Sequence, residues 1–409
     1  MTETPQQSDL ITPIISEVFE IEQLTWGGAK DPYAVLYRGR LKGDSQHIHR
    51  QLTQALKTQN LTPFFRQEKD THIIQLIRGL PAPQASNPRV NIILFLLTLL
   101  SMLVTGAIYS YEGPGVDSIP QLLSVAFNNL GLGVPFAVSL LAILMAHEFG
   151  HYLAGRYHKT AVTLPYFLPL PFPLSPFGTL GAFIQLKEPP RNKRVLFDIG
   201  IAGPLAGLVV AIPVLLYGLS LSTVDQLPLF VRAGEGFQLE GNSILYLEAK
   251  YLVHGQLLPA PLSFNGTPEW LYWLRYFFTG LPTPLGGQDV ILHSVAWAGW
   301  AGLLVTALNL IPVGQLDGGH LINSLLGDKA RLLVPVIIFG LAILGFFWPG
   351  WWLWVFLILM LGGSRAQSVD EITPLDRPRK LLAIFGLVLF FLVFTPIPLR
   401  EIIGPYFGP

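Results

Sequence analysis

The chain has 409 residues, of which 51% are hydrophobic and only 13% charged, and its mean hydropathy is +0.48. This composition is too apolar for an ordinary soluble protein and indicates an integral membrane protein. A formal net charge of +0 excludes the basic field that nucleic-acid binding needs, and the lack of cysteine excludes disulfides, thiolate nucleophiles and cysteine-based zinc sites.

Residues 1–88 are predicted to form a small, cytoplasmic α+β domain. "PYAVLYRGRL" (32–41), "LTPFFRQE" (61–68) and "THIIQLIRGL" (71–80) read as strands, and "SQHIHRQLTQALKTQN" (45–60) reads as a helix that Ser45 caps. The Pro-rich stretch "PAPQASNPR" (81–89) is typical of a connector between domains. The N-terminus has no basic and apolar signal-peptide pattern, so we expect insertion to start from an internal span.

Residues 89–400 are predicted to form a transmembrane domain of about seven helical spans, because a span needs about 20 apolar residues. The predicted spans are 91–111, 134–157, 197–219, 290–311, 332–348, 351–363 and 381–396. The two short spans that turn at Pro349 and Gly350 could instead be a re-entrant pair. The loop 220–289 is predicted to be extramembrane, with two aromatic-rich stretches that lie at the membrane surface or gate the entry of substrate.

The orientation follows from the distribution of lysine and arginine. The loop 112–133 has none, whereas basic residues follow the second span and recur on the same predicted side after the fourth: Arg156, Lys159, Lys187, Arg191, Lys193, Arg194, Lys329, Arg331, Arg365, Arg377, Arg379 and Lys380. Positive residues favour the cytoplasmic side. The N-terminus is therefore predicted to lie in the cytoplasm, or in the stroma of a plastid.

The stretch "HEFGH" (147–151) places ionisable residues inside the second predicted span. His147 and His151 are four residues apart, so both imidazoles lie on one helix face and can reach one metal ion, with Glu148 beside them. Zinc suits this pair, and Glu148 is placed to take a proton from water. In a soluble helix the same pattern could be a chance match, but buried ionisable residues without a metal would be costly in an apolar span.

Catalytic zinc normally takes three protein ligands, so a third is expected elsewhere. Asp317, in "NLIPVGQLDGGH" (309–320), follows an apolar run that Pro312 and Gly314 should break. Asp317 could instead cap the short helix that follows, or do both. His320 is a rival ligand, although a role as polar lining fits it better.

These motifs resemble those of the site-2 protease family of intramembrane zinc metalloproteases. The resemblance rests on HExxH in one span and N-x-x-P-x-x-x-L-D-G in a later one. "FGTLGAFIQLKE" (177–188) and "DIGIAGPLAGLVVAIP" (198–213) also occupy the places of that family's G-x-x-G-A segment and small-residue span. The amino-acid sequence around Asp317 and the C-terminal spans are most similar to the chloroplast and cyanobacterial EGY branch.

The resemblance implies an intramembrane zinc metalloendopeptidase that cleaves in or near transmembrane segments of membrane-protein substrates. It implies zinc ligands His147, His151 and Asp317, a catalytic base Glu148, and a role for Asn309 in stabilising the oxyanion, although Asn309 could simply end its helix. It also implies a multi-pass protein of a cyanobacterial or plastid membrane, with the active site toward the cytoplasm or stroma. Some members of the EGY branch lack the HExxH residues, whereas this chain keeps them.

Hydrolysis of a peptide bond that lies within the membrane requires the substrate to be extended. We expect 178–186 to form a strand or hairpin at membrane depth whose edge pairs with the unwound substrate, unless it is simply a loop resting on the membrane. The small residues of "GIAGPLAG" (200–207) are expected to serve helix packing. Two other functions are possible: a metal transporter or sensor, which would need more intramembrane ionisable residues than His293, or a catalytically silent chaperone, for which Glu148 would be dispensable.

Overall fold

The computed structural model describes residues 8–28, 30–79, 87–116, 118–232, 236–361 and 367–404. The N-terminal unit consists of α1 (Ser8–Val18), β1 (Phe19–Trp26), β2 (Val35–Leu41), α2 (Ser45–Ala55), β3 (Leu61–Glu68) and β4 (Thr71–Arg78). Its four strands form an antiparallel sheet in the order β1-β2-β4-β3. The predicted strands and helix are present, and α1 and β1 come in addition.

The predicted cap of α2 is wrong by one residue. The Asp44 carboxylate accepts a hydrogen bond from the His47 amide at 2.9 Å and caps the helix. An ionised carboxylate is a stronger acceptor for such an amide than a hydroxyl. The Ser45 hydroxyl instead lies 2.7 Å from the Thr373 hydroxyl, in a distant part of the chain.

The segment 367–373 joins the N-terminal unit to the rest of the protein. The Phe65 amide of β3 donates to the Val369 carbonyl at 2.8 Å, and the Glu371 amide donates back to Phe65 at 3.1 Å. On its other side the segment bonds residues 190–191: the Val369 and Asp370 amides donate to those carbonyls at 2.8 and 3.0 Å. The segment therefore connects β3 to the residues that precede α6 through backbone hydrogen bonds and single β-bridges at Asp370. Residues 81–86 of the predicted connector lie outside the described residues.

The remaining helices are α3 (Pro88–Tyr109), α4 (Ile119–Asn128), α5 (Val134–Tyr157), α6 (Lys193–Ser220), α7 (Ile244–His254), α8 (Glu269–Thr279), α9 (Ser294–Asn309), α10 (Asp317–Leu326), α11 (Val334–Gly345), α12 (Gly350–Leu361) and α13 (Arg377–Val393). The remaining strands are β5 (Tyr166–Pro169), β6 (Thr179–Phe183), β7 (Thr223–Gln226), β8 (Gly236–Glu240), β9 (Gln288–Ile291) and β10 (Leu399–Ile403). They pair antiparallel as β5–β6, β7–β9 and β8–β10.

Three helices in the described part of the chain are long and apolar enough to cross a membrane: α3, α5 and α6. Helices α9 and α12 are apolar but shorter. Helix α9 begins at Ser294, inside the predicted fourth span 290–311, because Val290 and Ile291 belong to β9. It also ends at Asn309 rather than Ile311, before Pro312. The total of about seven spans stays a prediction, and Arg365 lies outside the described residues.

Helices α5, α6 and α9 pack closely around the main hydrophobic core. The contacts use glycines: Gly150 of α5 lies against the backbone of α6, and Gly299 and Gly302 of α9 lie against Leu215 and Ile143. An added Cβ at these glycines would come within 2.5 to 2.8 Å of its neighbours, so the helices could not keep this distance with larger residues. The three backbones are consequently close enough to share one site.

The predicted loop 220–289 is largely structured. Strand pair β7–β9 ties the end of α6 to the start of α9, and β8–β10 ties the loop to the chain beyond α13. Helix α8 exposes Trp270, Leu274 and Phe278, which lie four residues apart on one face, and buries Tyr272 and Tyr276 on another. Its placement at the membrane surface stays a prediction.

This structured loop contains a buried charged cluster. Lys250 is fully buried, with its Nζ 3.8 Å from Glu240 Oε1, 3.8 Å from Asp289 Oδ1 and 4.5 Å from the centre of the Tyr246 ring. Tyr246 donates to Glu240 at 2.8 Å. Burial, with the nearby Asp289 charge adding to it, raises the pKa of Glu240 from its usual 4.5 to about 7.

This shift predicts a pH dependence of stability. A carboxyl whose pKa is raised by folding contributes stability that is fully present below about pH 4.5 and is lost as pH rises to about 7. Glu240→Gln keeps an acceptor for Tyr246 and removes the titration. We expect the melting temperature of the wild type to fall more than that of Glu240→Gln between pH 4.5 and 8. The exposed Glu401 on β10 supplies the control, Glu401→Gln, and equal slopes for all three proteins would contradict the prediction.

Candidate metal centre

Helix α5 brings two imidazoles to one point inside the helix bundle. His147 and His151 are 3% and 6% exposed, and their Nε2 atoms are 3.2 Å apart. The Nδ1 atom of His151 lies 2.7 Å from the Ile199 carbonyl of α6. A carbonyl only accepts, so Nδ1 carries the proton and, in the neutral ring, Nε2 presents its lone pair toward His147.

The third group comes from the start of α10. Asp317 Oδ2 lies 3.2 Å from His147 Nε2 and 3.3 Å from His151 Nε2. The chain reaches this position because α9 ends at Asn309 and Gly314 adopts a positive φ of 63°. The alternative that Asp317 caps this helix is not seen: the cap position is Leu316, and Asp317 is the first helical residue.

These three residues form the group within the described chain that could hold a metal ion. Their donor atoms are separated by 3.2 to 3.3 Å. Tetrahedral zinc with bonds of about 2.0 Å needs ligand atoms about 3.3 Å apart. Two imidazoles, one oriented by a backbone carbonyl, and one carboxylate are a donor set that zinc accepts. The residues therefore fit a zinc ion.

Glu148 lies beside this group without joining it. It is 3% exposed, and its Oε2 has no hydrogen-bond partner among the described residues. The backbone of Ile184, just after β6, lies against the same carboxyl group. A buried acceptor left unpaired is costly, so Glu148 is suited to accept a proton or a hydrogen bond from a bound ligand.

Asn309 also reaches the centre, at the end of α9. Its Nδ2 lies 3.2 Å from His147 Nε2. The side chain therefore points at the ligand group instead of satisfying the end of its own helix, whose cap residue is Leu310. An amide donor at this point could stabilise negative charge that develops near the metal.

The small residues of α6 make room for the imidazoles. A Cβ added at Gly203 would lie 2.1 Å from His151 Nε2, and one at Gly207 would lie 3.2 Å from His147 Nδ1. Gly200 lies against the ring of His320 in the same way, at 3.0 Å from its Cβ. The expectation that these residues serve packing is therefore incomplete, because two of them pack against site histidines. His320 is half-buried beside the site but is not in the metal-binding group.

The sequence predicted neither the contact of the Ile199 carbonyl with His151 nor the space that Gly203 leaves for the His151 ring. A backbone acceptor carries no side-chain signal, so no motif could have identified Ile199. The glycine spacing in "GIAGPLAG" was visible, but the same spacing also occurs where helices merely pack.

A family model described as "Peptidase family M50" matches residues 135–347, just over half of the 409 residues. "Probable zinc metalloprotease EGY1, chloroplastic" of Oryza sativa subsp. japonica is 27% identical over 92% of this chain and 65% of its own length. The EGY1 protein of Arabidopsis thaliana is 28% identical over 75% of this chain and 53% of its own length. EGY2 of Arabidopsis thaliana is 30% identical over 69% of this chain and 46% of its own length.

The chain thus spans between about half and two thirds of the length of these relatives. No solved structure gives a significant match. The family match includes the HEFGH helix, the small residues of α6 and the Asp317 turn, so the predicted resemblance to the site-2 proteases is confirmed: the chain belongs to peptidase family M50.

Proposed function

We propose that this protein is a zinc metalloendopeptidase that hydrolyses peptide bonds in or near transmembrane segments of other membrane proteins. The observation that carries the proposal is the convergence of His147, His151 and Asp317 beside Glu148, on a helix apolar enough to span a membrane. The names of the relatives, which describe zinc metalloproteases, support it. A transporter would have no evident use for a carboxylate with an unpaired oxygen, at Glu148, next to the ligand group.

In this proposal His147, His151 and Asp317 hold the zinc ion. Zinc, when bound, supplies Lewis acidity that lowers the pKa of water and polarises a carbonyl. The Ile199 carbonyl keeps His151 in the tautomer whose Nε2 can donate electrons. Gly203 and Gly207 leave the space that both rings occupy.

Glu148 acts as the catalytic base in this proposal. Its buried, unpaired oxygen accepts a proton from the attacking water and later delivers it to the leaving amine, which is the usual double role of such a carboxylate. Asn309 donates from its amide nitrogen toward the oxyanion. One such donor contributes on the order of 3 kcal/mol to a barrier.

Strand β6 is the proposed docking edge for the substrate. The Gln185 and Lys187 amides bond toward residues 161–163, on the β5 side of this segment. By the alternation of a strand, the amides of Ala182 and Ile184 then face the opposite edge, where Ile184 meets Glu148. A Cβ at Gly181 would have nothing within 4 Å, so space is open there. An unwound peptide paired at this edge would pass beside the base.

We further propose the topology that the sequence predicts. It has a cytoplasmic or stromal α+β domain at 1–88, about seven spans within 89–400 and the active site toward the same side. The apolar helices and the "chloroplastic" relatives support a plastid membrane, and a cyanobacterial membrane is the alternative that the sequence predicts.

Zinc content tests the ligand set without a known substrate. We expect about one zinc per wild-type protein, as three protein ligands imply, and near-complete loss in Asp317→Ala. Glu148→Gln should retain zinc and lose at least about a hundredfold in cleavage of a membrane-protein substrate, because only the proton transfer is removed. Zinc-free wild type would refute the metal site, and normal cleavage by Glu148→Gln would rule out Glu148 as the base. A zinc-binding wild type that cleaves nothing, with cellular function intact in Glu148→Gln, would favour the silent chaperone.

The two site glycines of α6 provide a graded test. Gly203→Ala should abolish zinc binding, because its Cβ would overlap His151 Nε2 at 2.1 Å. Gly207→Ala should retain zinc, since its contact at 3.2 Å needs only a small shift. Zinc-to-protein ratios of both variants, with melting temperatures to detect unfolding, check this order. The reverse order would mean that the rings do not lie as described.

The docking edge can be blocked without touching the ligands. Ala182→Pro removes the amide that faces the free edge, and a strand edge without it cannot pair fully with a peptide. We expect cleavage of a transmembrane substrate to fall at least about tenfold while zinc content is unchanged, with Ala182→Ser as the matched control that keeps the amide. Normal cleavage by Ala182→Pro would rule out docking at this edge.

A further inference from the structure

A charged cluster joins the helices of the metal centre at the end where α5 stops. Asp198 of α6 accepts two hydrogen bonds from Arg379 of α13: Nε to Oδ1 at 2.8 Å and Nη2 to Oδ2 at 2.6 Å. The same Oδ2 lies 2.9 Å from Nε2 of His158. Asp198 and Arg379 are only 19% and 28% exposed. A two-pronged contact of this kind fixes the relative orientation of its two partners, in addition to attracting them.

One of these contacts lies next to the hydrogen bond that orients His151. His158 is the residue that caps the C-terminus of α5, seven positions after His151. Asp198 immediately precedes Ile199, whose carbonyl accepts from His151 Nδ1 at 2.7 Å. The contact between His158 and Asp198 thus ties α5 to α6 beside this carbonyl–imidazole bond, toward the C-terminal end of α5. A rotation or slide of one helix against the other would change both contacts together.

Through Arg379 the cluster reaches α13, which packs on the helix that begins at Asp317. Arg379 lies in the first turn of α13, where Asp376 caps the helix by accepting from the Arg379 amide at 3.1 Å and also bonds its guanidinium. Further along, α13 packs on α10: a Cβ at Gly386 would lie 2.4 Å from Leu321. Since α10 begins at Asp317, the position of α13 affects the position of the third ligand.

We propose that Asp198 is a positioning residue for the metal centre, which sets the relative placement of α5, α6 and the α13–α10 pair so that their three donor atoms converge. This inference rests on the proposed zinc site. It differs from a simple role in stability, because a surface ion pair of ordinary kind would contribute little and would not change the affinity of a distant metal. Mutation of residues that contact metal ligands typically changes metal affinity by about 10- to 100-fold. Asp198 contacts no ligand itself, and acts through Ile199 and through the packing of the helices.

The test measures the rate of zinc release and the geometry of the metal site, rather than enzymatic activity. Full-length Asp198→Asn loses the charge but keeps the side-chain shape, and we expect zinc release to a chelator to become about tenfold faster than in the wild type. The cobalt-substituted protein should show a shifted visible absorption band, since the donors no longer meet at the same point. The control is Glu68→Gln, which removes the exposed ion pair with Arg38 on the N-terminal unit and should change neither readout.

Two variants of the partner keep the proposal testable if Asp198→Asn folds poorly. Arg379→Lys keeps the charge and loses the two-pronged contact, so its zinc release should lie between those of the wild type and Arg379→Gln. Wild-type zinc release and cobalt spectra in Asp198→Asn and Arg379→Gln would overturn the positioning role, as would a graded loss of melting temperature with no change at the metal. Wild type that binds no zinc would instead overturn the proposed function.

Discussion

The arrangement of this protein depends on the cost of placing ionisable side chains inside an apolar helix bundle. His147, Glu148 and His151 are all at most 6% exposed, and Asp317 meets them from another helix. Such groups are tolerated at this depth only when they satisfy one another or bind a ligand. The donor spacing, the carbonyl on His151 and the break between α9 and α10 all follow from this requirement. The rest of the fold can be understood as the support that keeps these groups together.

The first part of this support comes from glycines, which have no side chain. Histidine rings are large, and three closely packed helices have no spare volume for them. The space comes from α6, where Gly203 and Gly207 lie against the two ligand rings, and from glycines that bring α9 against α5 and α6. The same residue type therefore fulfils two needs, close approach of the backbones and room for the imidazoles. This explains why a small-residue segment faces the HEFGH helix.

The chemistry of the site could be predicted from the sequence better than its surroundings. HEFGH and Asp317 carry ionisable residues in apolar segments, a signal that survives without any structure. The missed elements lacked a comparable signal. Strand β1 has a register shift between Ile21 and Gln23 that interrupts its alternation, β9 joins directly onto an apolar helix, and the Ile199 carbonyl belongs to the backbone. The segment 367–373 gains its structure from two distant partners, which local patterns cannot reveal.

The tertiary contacts also explain which side of the site remains for a substrate. Strand pair β7–β9 fixes α6 to α9 at one end, and the Asp198 cluster and segment 367–373 fix α5, α6 and α13 at the other. Helices that are fixed to one another at both ends have little freedom to move apart. Glu148, however, faces Ile184 and the edge of β6, a two-stranded element whose Leu180 is exposed. A peptide that reaches the proposed base would therefore approach along β6, where it can pair with backbone amides without separating the helices that hold the metal ligands.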